Sequence, residues 1–171
     1  MASLEFSLYD QTGKVVPLAR RWITEQSCKC IEQMNLRGSV RVCVLDDHAM
    51  SGLHDRTLGI PETTDVLTFD LGEPSEKRPS GPACSPVGGE MFGIDTDIYV
   101  CLDEAARHAD RGGYPVEREL LLYVLHGVLH CLGYDDHTDE GWAAMHRKED
   151  EILTAIGVGP VFWNPEPGQG G

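Results

Sequence analysis

The chain has 171 residues, 28 of them acidic against 14 basic, for a formal net charge of −14. Its length fits a single domain able to bury a proper core. The charge excludes a broad nucleic-acid-coating surface, which needs clustered Lys and Arg, and leaves room only for a small local contact patch.

The elements follow in order. Leu4-Glu-Phe6-Ser-Leu8-Tyr alternates and predicts a first strand. Pro17 opens a helix to about Met34, with Leu18, Trp22, Ile23 and Ile31 as core candidates. Val40-Arg-Val42-Cys-Val44-Leu alternates as a second strand, and Asp46-Asp47 cap a short helix to about Leu58, with Met50 and Leu53 facing inward. Thr64-Asp-Val-Leu-Thr-Phe69 is a third strand. Residues 72–93, rich in Pro, Gly and Ser, predict a long exposed loop. Ile94–Cys101 is a fourth strand, followed by a helix from about Leu102 to Asp110.

Pro115 then opens the most informative helix, at its first position. Leu121, Leu125, Val128 and Leu132 recur at helical spacing, and Leu122 and Leu129 widen that apolar face. Glu119, Tyr123, His126 and His130 form a second stripe. His126 and His130, four residues apart, leave one face about a turn from each other. That is the geometry two ligands of one metal ion need. Burial favours neutral imidazole, the metal-binding form. Gly133 stops the helix in the left-handed conformation, Tyr134-Asp135-Asp136 make a turn, and His137 can return toward the pair. Three histidines with a fourth position open suit a catalytic zinc site, one ion per chain. The bland alternative is a pair of satisfied core histidines and a third in a loop. Thr138 or Asp139 caps a last helix to about Ile156, with Trp142, Met145, Ile152 and Leu153 pointing inward, and a Gly/Pro-rich tail spans 157–171.

His126-Gly-Val-Leu-His130-Cys-Leu-Gly-Tyr-Asp-Asp-His137 resembles the H-G-x-L-H-L-x-G-Y-D-H signature of the YbeY-type, zinc-dependent rRNA maturation endoribonucleases. Thr64–Phe69 is similar to a second motif of that family, T-D-V-L-S-F, and the two stand in the family's order. The likeness spans roughly residues 40–156. Two departures stand out. Counting without gaps from His130 puts Asp136 on the family's last histidine, because Asp135-Asp136 replaces a single Asp. We place a one-residue insertion in the turn, which a turn absorbs easily, and expect His137 as the third ligand. Second, the family's L-N-x-x-Y-R-G puts an arginine regarded as catalytic where Leu58 stands here; Arg56 is the nearest cation and a candidate for phosphate binding.

The expected architecture is α+β: one small mixed sheet of about four strands with about five helices, the metal-bearing helix central, in a single domain over 1–156. The resemblance implies a metal-dependent single-strand endoribonuclease acting in rRNA maturation and ribosome quality control, with precursor rRNA and ribosomal small-subunit components as partners. In that reading His126, His130 and His137 hold Zn2+, while Asp135 or Asp136 orients a ligand or takes a proton from water. Two other classes fit the residues: a zinc hydrolase of a peptide or amide, and a non-catalytic ribosome-associated zinc protein. Gly127 at the glutamate position of H-E-x-x-H counts against peptidase chemistry. The six cysteines form no CxxC pair, no signal peptide is expected, and no apolar run approaches a membrane span, which together predict a reducing cytoplasm.

Overall fold

Strands β1 (Leu4–Asp10), β2 (Leu36–Leu45), β3 (Val66–Asp70) and β4 (Phe92–Cys101) form one sheet in the order β1-β2-β4-β3. β1 and β4 run parallel to β2, and β3 is antiparallel to β4, so the sheet is mixed. The computed structural model describes residues 3–73, 81 and 91–161. Most of the long loop expected over 72–93, and the tail beyond residue 161, lie outside the described residues. The fourth strand begins at Phe92, two residues earlier than expected, because Leu36 and Arg37 pair with Phe92 and Gly93.

The period-two pattern assigns the two faces of the sheet. Val40, Val42 and Val44 of β2, with Ile94, Ile98 and Val100 of β4, face the main core beneath α1 (Pro17–Gln33) and α4 (Val116–Cys131). The opposite face carries Leu45, Leu67 and Cys101, and α2 (Asp47–Leu58) covers it through Met50. α2 starts on Asp46, whose side chain accepts the Ala49 N–H at 2.8 Å, and ends on Gly59 in the left-handed conformation. α3 (Leu102–Gly112) and α5 (Asp139–Ala155) complete the five described helices. On the outer face Arg41 bridges to Asp95 and Asp97 across the β2–β4 pair. The fold is α+β with α4 at its centre, buried from Glu119 to Leu125 and again from Gly127 to Leu129.

Two core assignments differ from the sequence reading. Leu18 is exposed, since it sits on the first turn of α1, and that helix buries Ile23 and Ile31 instead. Trp142 is 52 % exposed, because α5 buries its stripe from Met145 onward while its first turn overhangs a cavity. The start of the expected tail packs: Arg118 donates to the Gly159 and Pro160 carbonyls, and the Val161 N–H donates to Asp150.

Gly127 shows why this helix carries no glutamate beside its first histidine. A Cβ there would lie 2.7 Å from Thr68 Oγ1 and 3.0 Å from two Ile98 carbons, so α4 seats on the sheet only through a bare backbone. Gly127→Ala gains about 1 kcal/mol of helix propensity, but overpacking costs roughly 1–3 kcal/mol. The expected net result is a lower Tm in thermal unfolding, together with weaker metal binding as α4 lifts from the sheet.

Candidate metal centre

His126 and His130 leave α4 side by side, with ring centroids 4.5 Å apart and the rings nearly perpendicular. Each ring is held from behind. His126 Nδ1 lies 2.8 Å from Glu149 Oε1, and His130 Nδ1 lies 3.0 Å from the Tyr134 carbonyl. Both partners are acceptors, so each Nδ1 carries the proton that it donates. The two Nε2 atoms are thereby aimed at each other, 3.0 Å apart. Two such lone pairs repel unless a proton or a cation lies between them, which is the arrangement of ligands around a shared metal.

The third group comes from the turn after α4. Gly133, in the left-handed conformation, ends the helix as expected. Asp136 then brings its carboxylate 3.4 Å from His126 Nε2 and 3.8 Å from His130 Nε2. One donor atom from each of His126, His130 and Asp136 lies within 4.8 Å of the others, a donor set that fits a divalent ion. His137 also lines the cavity, but its side chain is 83 % exposed, hydrogen-bonds the Asp135 carboxylate, and approaches Asp136 at 3.8 Å. Asp135 faces solvent and accepts the His137 N–H at 3.0 Å. The structure thus gathers His126, His130 and Asp136, and sets His137 and Asp135 at the rim as a pair. Arg56 is exposed, its guanidinium lying over Gly52, while Leu58 and His54 of the same helix line the cavity.

Glu149 and His146 escaped the sequence reading. Glu149 on α5 is fully buried between His126 and His146, whose Nδ1 lies 2.7 Å from Glu149 Oε2. The signal was its place among Met145, Ile152 and Leu153, an acidic residue on an apolar stripe. Buried carboxylates are retained when paired or hydrogen-bonded, and this one fixes the direction of the His126 ring.

The electrostatics follow from these contacts. Burial works against charge on His126, but the hydrogen bond and negative charge of Glu149, aided by Asp136 and Asp65, outweigh it and raise the pKa above 6.5. Burial and the charge of His126 lower that of His130, against the pull of Asp136. Burial also works against charge on Glu149, yet the two histidines hold its carboxyl below 4.5.

A pH dependence follows. His126, raised in the folded state, contributes stability that is fully present below about pH 6.5 and lost as pH rises through its raised value. Glu149, lowered, contributes stability present above about pH 4.5 and lost as pH falls through its lowered value. Chelator-treated protein is expected to gain most from this pair between about pH 4.5 and 6.5. The measurement is the Tm difference between wild type and Glu149→Gln across that range; a difference that grows as pH rises beyond it contradicts the expectation.

The sequence model described as Endoribonuclease YbeY matches residues 9–157. The chain belongs to the YbeY endoribonuclease family. The Endoribonuclease YbeY of Moorella thermoacetica is 34% identical over 133 residues, 78% of this chain and 82% of that one. That of Salinibacter ruber is 41% identical over 114 residues, 66% of this chain and 68% of the other. That of Renibacterium salmoninarum is 39% identical over 115 residues, covering 67% and 69%. Membership makes the chain an endoribonuclease, a hydrolase of phosphodiester bonds, and the His126–His130–Asp136 cluster lies in its largest described cavity, of about 830 Å³.

Proposed function

We propose that this endoribonuclease cuts single-stranded RNA in rRNA maturation and ribosome quality control, using one zinc ion held by His126, His130 and Asp136. The observation that carries the metal reading is the pair of Nε2 atoms fixed 3.0 Å apart by acceptors behind each ring, with a carboxylate beside them. A divalent ion there supplies Lewis acidity toward a phosphoryl oxygen and toward water. The protein's own residues do the rest. Glu149 holds the tautomer and direction of His126. The Tyr134 carbonyl does the same for His130. Asp135 ties back His137 and shapes the turn that presents Asp136.

The described cavity lining contains six histidines and no Lys or Arg. Substrate phosphate is therefore met by the metal and by imidazoles, and Arg56 contributes only if its guanidinium leaves Gly52. Exposed Trp142 at the rim offers an unpaired base a stacking surface. A chain of net charge −14 attracts free RNA weakly, which favours delivery of the substrate by ribosomal small-subunit components. The place of action in this reading is the ribosome, in the cytoplasm. No described helix is long and apolar enough to cross a membrane.

The test uses metal-replete protein with a single-stranded RNA, its duplex and casein, each with and without chelator. Chelator-sensitive cutting of the single strand alone is expected. Casein cleavage that disappears in His126→Ala would falsify the nuclease reading.

A further inference from the structure

A groove runs between α1 and the start of α4, away from the metal cavity. It has two parts, of about 450 and 460 Å³, which share Trp22 and Glu117 and so open into one another. His126 lies ten residues along α4 from Val116, roughly 15 Å along the axis. One part is aliphatic, lined by Val16, Leu18, Val116 and Leu120. Leu18 is 79 % exposed and Val16 61 %, so this apolar surface meets water. Such a patch marks a place where a partner sits. The other part holds Gln26, which is only 9 % exposed and whose side-chain amide has no hydrogen-bond partner among the described residues. Buried polar groups are nearly always satisfied, so an unmet one lining an open groove points to a ligand.

The charge of the groove reverses that of the chain. Acidic residues outnumber basic ones 28 to 14 overall. Along the groove stand Lys14, Lys29 and Arg118, with Glu117 as the one carboxylate among the described lining residues. Arg118 donates to the Gly159 and Pro160 carbonyls, which are neutral partners and leave its charge unmatched. Two helices also open here. α1 starts on Val16 and α4 on Pro115, neither with a side-chain cap, and α1 has no acidic residue in its first turn. The unmet N–H groups and the positive dipole end of each helix favour carboxylates. The Gln26 amide offers an acceptor and donors in one plane, the pattern that pairs with the N–H and C=O of a peptide backbone. The aliphatic floor suits protein side chains better than the hydrated sugar-phosphate of RNA.

We propose that this groove docks an extended acidic segment of a partner protein. Its aliphatic side chains sit on Leu18 and Trp22, its carboxylates face Lys14, Lys29 and the two helix starts, and a backbone amide meets Gln26. The metal cavity stays open while the groove is filled, so docking and RNA cutting are separate properties.

The test selects short random peptides, displayed on phage, on immobilised metal-loaded protein. The selected sequences are expected to be rich in Asp and Glu beside Leu, Ile or Val. The best binder is then synthesised and its affinity measured by fluorescence anisotropy. Leu18→Asp and Lys29→Glu, both at exposed positions, are each expected to weaken it about tenfold, with Tm, metal content and cutting of free RNA near wild type. His130→Ala is expected to bind the peptide as wild type does, which separates the groove from carboxylate capture by the metal. Selected sequences without acidic residues, or binding that both groove variants leave unchanged, overturn the site. Displacement of the peptide by single-stranded poly(U) assigns the groove to RNA instead, and a wild-type dimer that Leu18→Asp dissociates in sedimentation assigns it to a second copy of the chain; either result overturns the proposal.

Discussion

His126→Ala and His130→Ala are both expected to abolish metal retention and RNA cleavage, but at different cost to the fold. Each removes one of two imidazoles that no other described residue can replace on that face of α4. The difference lies behind the rings. Behind its ring, His130 Nδ1 meets only the Tyr134 backbone carbonyl, just past the end of its own helix. His126 partners Glu149, whose side chain has no exposure at all. Among the described residues, removing His126 leaves that buried carboxylate with His146 as its remaining side-chain partner. Breaking a buried pair from one side costs about 3 kcal/mol or more, whereas a lost hydrogen bond to a carbonyl costs about 1 kcal/mol. Elemental analysis should find no metal in either variant, and thermal unfolding should place His126→Ala well below His130→Ala. A similar Tm for the two would show that Glu149 does not depend on His126.

The same contrast explains what the sequence made legible. The two histidines could be found because a helix converts a four-residue spacing into adjacency, and the apolar leucines around them marked the helix. The sheet was legible from alternation in Val40–Leu45 and Ile94–Cys101, and the helix caps at Asp46 and Thr138 from residue type. Glu149 was not read, because its partnership with His126 joins α5 to α4 across a packing interface that no local spacing encodes. Trp142 was misplaced for a related reason. It has the right period to continue the buried stripe of α5, but a helix end can overhang its support, and only the tertiary arrangement says where the support stops. Leu18 at the start of α1 repeats the case. The role of Gly127 was half legible: its presence excluded a glutamate base, while the reason, the approach of Thr68 and Ile98, required the sheet beneath it.

Asp136→Ala is expected to weaken metal binding far more than His137→Ala, which reverses the assignment drawn from sequence. The sequence argument kept three histidines by placing an insertion in the turn. The turn, however, is fixed at both ends. Gly133 sits at φ 81° and closes α4. Thr138 caps α5, accepting the Gly141 N–H at 3.0 Å, and Gly141 packs so tightly on the Asp135 carbonyl that no Cβ fits there. Between these ends Asp136 faces the histidine pair, and its neighbours on both sides face solvent. An insertion would be absorbed by a loose turn, and this one is tight. Moving His137 inward requires breaking its bond to Asp135 and drawing the cap of α5 after it. An aspartate ligand also has a consequence. It would leave the ion with about one net positive charge instead of two, so that phosphate would be held less strongly and the imidazoles of the cavity would matter more. Losing an outer partner of a ligand costs roughly 10–100-fold in metal affinity; losing a ligand costs more. Zinc titration should therefore show a loss beyond about 100-fold in Asp136→Ala and under about 10-fold in His137→Ala. Asp136→Asn, which keeps the shape and removes the charge, should resemble Asp136→Ala. The opposite order would return the third position to His137 and show that the turn rearranges when the ion binds.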